Sequence, residues 1–113
     1  MHIEASPLNS DINLVRLNGR LDSSGVDSIE TRFTAAVVST NRHAAVDLSG
    51  VSFLASMGIR MLIASARAMN LKGHKMVLFG ATEGVQSVLD TVALDQIIPI
   101  VATEQEAVQR LTA

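Results

Sequence analysis

The 113-residue chain contains no cysteine, no tryptophan, no tyrosine and only two prolines. Without a thiol it has no disulfide, thiolate nucleophile, iron–sulfur cluster or cysteine-based zinc site, a usage that suits a reducing compartment. Its aromatic content is three phenylalanines, too few for a platform that stacks nucleic-acid bases or sugar rings. Net charge is small as well. Nine Lys and Arg against eleven Asp and Glu leave −2, with no basic run to follow a phosphate backbone, so nucleic acid is not expected as a direct partner. Long hydrophobic runs are missing, because Arg60, Arg67, Lys72 and His74 interrupt every candidate membrane span. Met1-His2-Ile3-Glu4-Ala5 has no basic region followed by an apolar one, so neither export nor membrane insertion is expected, and the cytoplasm is the expected location.

What remains is rich in core material: 48% of residues are hydrophobic and 18% charged, which excludes a disordered chain. A single core typically occupies about 100–150 residues, so residues 1–113 read as one domain. Ile12 to Leu17 is a broadly apolar, strand-like run ending at the turn signal Asn18-Gly19, and Met1 to Ser6 before it completes an opening hairpin. Asp22-Ser23-Ser24 offers short oxygens that cap a helix, and Val26, Ile29, Phe33 and Val37 line one helical face, with an end near Asn41. Ala44 to Leu48 and Lys75 to Phe79 are short apolar runs of the kind found in strands covered on both faces. Between them a second helix follows Ser56 with Ile59, Leu62, Ile63, Ala66 and Met69 on one face, and Gly73 stops it. Thr82 opens a third helix, Ile97 to Val101 reads as a last strand, and Thr103 opens a closing helix. The string ββαβαβαβα implies an α/β fold. Its sheet would be mixed but mostly parallel, with about five strands, about four helices and an antiparallel edge from the first hairpin.

Little in the chain resembles assembled catalytic machinery. His2, His43 and His74 lie far apart, none with an acid or a second histidine at helical metal-pair spacing, and all read as solvated or loop residues. Gly80-Ala81-Thr82-Glu83-Gly84 lacks the Lys-Ser/Thr of a phosphate loop and reads as a strand-to-helix turn. No G-x-S-x-G elbow is present, and Asp47 lacks the acidic pair that a phospho-accepting receiver needs to hold Mg²⁺. No intrinsic catalysis, cofactor or metal is expected. The informative stretch is Val46-Asp47-Leu48-Ser49-Gly50-Val51-Ser52-Phe53-Leu54-Ala55-Ser56-Met57-Gly58, read as a buried strand, a tight loop and a helix start. Two readings of Ser56 follow. As an N-cap, its hydroxyl accepts a backbone N–H and its loss costs about 1 kcal/mol. As a phosphorylation site, it presents a hydroxyl where a helix terminus favours an anion.

This stretch resembles the D-L-S-x-V-x-F…Ser/Thr-x-Gly pattern of STAS domains, the family shared by anti-sigma factor antagonists and the cytoplasmic tails of sulphate transporters. Gly19-Arg20-Leu21-Asp22 is similar to the family's G-x-L-D before the first helix, and Val85 to Ile100 is similar to its third helix and last strand. The resemblance covers essentially the whole chain. It implies a stand-alone antagonist that binds an anti-sigma factor when unphosphorylated and releases it when phosphorylated. That partner would double as a serine kinase of the histidine-kinase-like ATPase type and bring the ATP and Mg²⁺, and a PP2C-type phosphatase would reset the switch. Carried over residue by residue, the resemblance makes Ser56 the phospho-acceptor and has Gly58 admit the kinase close to the backbone. Asp22, Ser23, Ser24, Asp47, Ala55, Met57 and Ile59 complete the contact surface, although Met57 and Ile59 read equally well as core. One departure stands out: many phosphorylated members carry Asp just before the Ser, where this chain has Ala55. The alternative is therefore a STAS scaffold that is never phosphorylated, a subunit of a lipid or anion transport complex or of another signalling assembly.

Overall fold

The protein is described by a computed structural model covering residues 1–112. Strands β1 (His2–Pro7) and β2 (Ile12–Leu21) lead into helix α1 (Ser23–Val37), β3 (His43–Leu54) and α2 (Ser56–Leu71). Then come β4 (Met76–Phe79), α3 (Glu83–Thr91), a 3₁₀ turn at Leu94–Gln96, β5 (Ile100–Val101) and α4 (Glu104–Thr112). The five strands lie side by side in chain order, β1 antiparallel to β2 and every later neighbour parallel. This is the expected mixed sheet with four helices. No helix among the described residues is long and apolar enough to cross a membrane.

Because side chains alternate across a strand, the sheet builds a core on each face. Val15 and Leu17 of β2, Val46 and Leu48 of β3 and Leu78 of β4 meet Ile29 and Phe33 of α1, Leu62 and Met69 of α2, and Leu89 of α3. The intervening Ile12, Leu14, Ala45, Val77 and Phe79 meet Ala107 and Leu111 of α4 on the opposite face. Covering both faces explains why the central strands read as nearly unbroken apolar runs. Three helices start on side-chain caps. Asp22 accepts from the Gly25 N–H at 2.9 Å, Thr82 from Val85 at 3.4 Å, and Thr103 from Glu106 at 3.2 Å, with Glu106 reaching back to the Thr103 hydroxyl. Buried Asn13 ties β2 to the end of α1, donating to the Ala36 carbonyl and accepting from Arg42, both at 3.2 Å.

Four local expectations are corrected. Asn18-Gly19 does not end the strand; it sits inside β2, where register shifts flank it and Gly19 adopts φ +114°, so the turn signal marks a strand irregularity. Strand β3 has no tight loop after Leu48. It runs on to Leu54 because β2 keeps pairing with it, Asn18 with Gly50 and Leu21 with Leu54. Helix α1 closes at Val37, and the chain reaches Asn41, at φ +54°, through turns. The last strand is only Ile100–Val101: Ile98 buries its side chain on leaving the 3₁₀ turn, and Pro99 has no N–H to give a ladder, although its carbonyl accepts from Leu78. Phe33 is fully buried where α1 meets the sheet. Phe33→Ala is expected to cost about 3–5 kcal/mol, seen as a lower urea midpoint with an unchanged m-value.

Candidate functional site

Strands β2 and β3 outrun their neighbours. β1 stops pairing at Asn18 and β4 at Asp47, so the last residues of β2 and β3 form a two-stranded ribbon at one end of the sheet. Since the two strands are parallel, they end together, and the Ala55 N–H extends their ladder to the Leu21 carbonyl at 3.1 Å. Helices α1 and α2 therefore start side by side, with Asp22, Ser23 and Ser24 beside Ala55, Ser56 and Met57.

The approach is close enough to specify glycine. A Cβ on Gly58 would stand 2.7 Å from both Cγ and O of Leu21 and 2.9 Å from Cδ1 of Leu54. Gly58 is buried, so its role is corrected: it lets α2 press onto β2 inside the domain and does not open the backbone to a visitor. Ile59 packs half-buried against the main core, while Met57 is 38% exposed at the surface.

Ser56 is not the N-cap. That position is held by Ala55, whose φ −109° and ψ 173° are the extended geometry of a cap but whose methyl group accepts nothing. Ser56 is the first helical residue, exposed, and its hydroxyl has no hydrogen-bond partner among the described residues. The Gly58 and Ile59 N–H groups both donate to the Ala55 carbonyl, at 3.0 and 3.2 Å, and those of Ser56 and Met57 have no acceptor among the described residues. The helix start thus offers partial positive charge beside a free hydroxyl.

Across the ribbon Asp22 is engaged twice, by the Gly25 N–H and by the Arg20 guanidinium at 3.3 Å. The backbone hydrogen bond, aided by Arg20, holds its carboxyl below the usual 3.8. Arg20 also lies over the Phe53 ring, 4.3 Å from its centroid, and Phe53 is 42% exposed. Phe53 has no sequence signal to pick it out: regular alternation from buried Val51 would place it inside, and it faces outward because the register shift between Gly19 and Arg20 inserts Ser52 as an extra residue. A shallow pocket of about 290 Å³, lined by Met1, Arg20, Asp22, Ser24, Gly25 and Ser28, opens beside the start of α1.

Asp47 does not join this site. It lies seven residues before the end of β3, roughly 20 Å along the strand at ~3.3 Å per residue. There it accepts from the Ser49 N–H at 2.9 Å and pairs with Arg16 at 3.6 Å. The histidines are corrected in part: at the opposite end of β3, His43 meets His74 edge to face, ring centroids 5.4 Å apart, and accepts from the Lys75 N–H at 3.0 Å. Burial, and then the charges of His74 and Lys75, lower the His43 pKa below 6.5. No group of three metal-ligating side chains occurs among the described residues.

This α/β fold matches a known family. The STAS domain model matches residues 5–107, and the chain belongs to that family. It is similar to a protein from Paenibacillus polymyxa named anti-sigma F factor antagonist, with 27% identity over 87% of this chain and 85% of that one. In fold it is similar to a Thermotoga maritima protein described as an anti-sigma factor antagonist, with TM-score 0.88 and 18% identity over 98% and 95% of the two chains. It also resembles the anti-sigma factor antagonist SpoIIAA in its unphosphorylated form, with TM-score 0.73 and 18% identity over 99% of each chain. The phosphorylated form of Bacillus SpoIIAA gives TM-score 0.67 and 21% identity over 96% and 98%.

Two outcomes test this geometry. Ala55→Asp supplies the missing cap and is expected to stabilise the domain by about 1 kcal/mol, raising Tm by about 3–6 °C in a thermal melt. Because the Asp22 pKa is depressed on folding, its contribution to stability is present above pH 3.8 and lost as pH falls through the lower folded value. Asp22→Asn, which keeps a capping oxygen, is expected to flatten that acid limb in denaturation curves measured from pH 5 downwards.

Proposed function

We propose that this chain is an anti-sigma factor antagonist, a non-catalytic module that binds an anti-sigma factor with serine kinase activity and is released by phosphorylation on Ser56. The carrying observation is the exposed first residue of α2: a hydroxyl with no hydrogen-bond partner among the described residues, on an uncapped helix start at the same end of the sheet as the start of α1. The antagonist names of its relatives support the same reading.

In this reading the unmodified surface docks on the partner, with Met57 and Phe53 contributing apolar area and the helix starts contributing polar contacts. The Ser56 Oγ attacks the γ-phosphorus of ATP held with Mg²⁺ by the kinase, a P–O bond forms, the bond to ADP breaks, and the hydroxyl proton leaves to a base. Ala55 supplies no carboxylate beside the hydroxyl, and Asp22 is held by the Gly25 N–H and the Arg20 guanidinium, so in this reading that base comes from the kinase. The product carries about −1.5 to −2 charges. On the free domain a helix start favours such a charge by roughly 0.3–2 kcal/mol, so the fold survives. In a closed interface an unpaired dianion costs several kcal/mol, and each ~1.4 kcal/mol is tenfold in affinity, so a drop of about 10²-fold or more follows. A PP2C-type phosphatase reverses the step by hydrolysis.

Incubation with ATP, Mg²⁺ and an anti-sigma serine kinase from the same genome, followed by intact-protein mass spectrometry and peptide mapping, is the test. One phosphate on the Ser56 peptide is expected, absent from Ser56→Ala, and the Ser56→Ala chain is expected to stay bound whether or not ATP is added. Binding without any phosphate transfer would replace the switch by a constitutive scaffold.

A further inference from the structure

Taking the phosphorylation reading as its basis, one residue decides where the new charge goes. Arg60 lies four residues after Ser56 on α2, one helical turn on, and positions so spaced share a face with Cβ atoms about 5–6 Å apart. Helical side chains lean toward the N-terminus, which aims the Arg60 stem back at the first turn. Arg60 is exposed and has no ion-pair partner among the described residues. The cations on the neighbouring strand are already engaged, Arg16 by Asp47 and Arg20 by Asp22 and the Phe53 ring. Ala55, immediately before the acceptor, adds no carboxylate to compete for the guanidinium.

We propose that Arg60 is the counter-ion of the phosphorylated switch, its guanidinium closing on the Ser56 phosphate in a two-bond fork along the surface of α2. An acid one turn N-terminal to a base is the favourable order for a helical pair, and Arg presents two parallel N–H donors to phosphate oxygens. Phosphorylation then changes two features of the docking surface together: it adds an anion and withdraws a free cation. Before modification Arg60 is free to meet an acidic group on the partner.

The test installs phosphoserine at position 56 during translation, so that no kinase is needed, and follows the phosphate by ³¹P NMR against pH. Its second ionisation, ordinarily near about 6, is expected to be lowered in the parent chain and to rise by about 0.3–0.7 pH unit in Arg60→Gln. Arg67→Gln removes the same charge from the same helix nearly two turns further on and sets the baseline, with an expected change of less than about 0.1 unit. Equal titrations of the Arg60 and Arg67 variants would overturn the counter-ion role. A kinase that never modifies Ser56 would instead sink the switch reading, and the two failures are read in separate experiments.

Discussion

The parallel pairing of β2 with β3 is the constraint on which the rest of the site depends. Parallel strands point their C-terminal ends the same way, so the helix that follows each one starts at the same end of the sheet. Here the pairing continues beyond the reach of β1 and β4, from Asn18–Gly50 to Leu21–Leu54, and the Ala55 to Leu21 hydrogen bond extends it to the threshold of α2. Two helix starts, more than thirty residues apart in sequence, become neighbours through backbone hydrogen bonds alone. The exposed side chains of Ser23, Ser24, Ser56 and Met57 play no part in that pairing.

That arrangement demands near-contact between elements, and glycine provides it. Gly58 lets α2 meet Leu21 and Leu54, and Gly25 occupies a similarly crowded place against the Arg20 carbonyl in the first turn of α1. The two glycines are buried while Ser23, Ser24, Ser56 and Met57 on the same turns are exposed. A first helical turn split in this way is tight within and exposed without. The Arg20 contacts to Asp22 and Phe53 brace the same end of the sheet from the β2 side.

Much of this was legible in the sequence. The three-to-four spacing of Val26, Ile29, Phe33 and Val37 gives α1, and Asp22, Thr82 and Thr103 cap helices as their short oxygens imply. What failed to read correctly depends on partners distant along the chain. Ser49-Gly50 and Asn18-Gly19 carry local turn chemistry, yet each lies in a strand because the other strand pairs with it, a tertiary override of propensity. Ala55 caps α2 without any capping atom because the ladder to Leu21 already sets the chain's entry angle, so the residue that looked like a cap fell one place inside. Asp47 sits in the same motif as Ser56 but belongs to the far part of a strand longer than the sequence implied.

The misplaced cap changes what Ser56 can do. Had its hydroxyl closed the helix, adding a phosphate would have removed a stabilising hydrogen bond, and modification would have been coupled to stability at a cost of about 1 kcal/mol. With Ala55 in that place, the Ser56 hydroxyl makes no contribution that modification must undo, and the first-turn dipole favours the new anion. The free energy of modification can then appear almost wholly in partner binding, where desolvating a dianion is costly, and not in the fold. If Ser56 is the acceptor proposed above, its place just inside an uncapped helix start, beside the tightly packed Gly58, separates switching from stability.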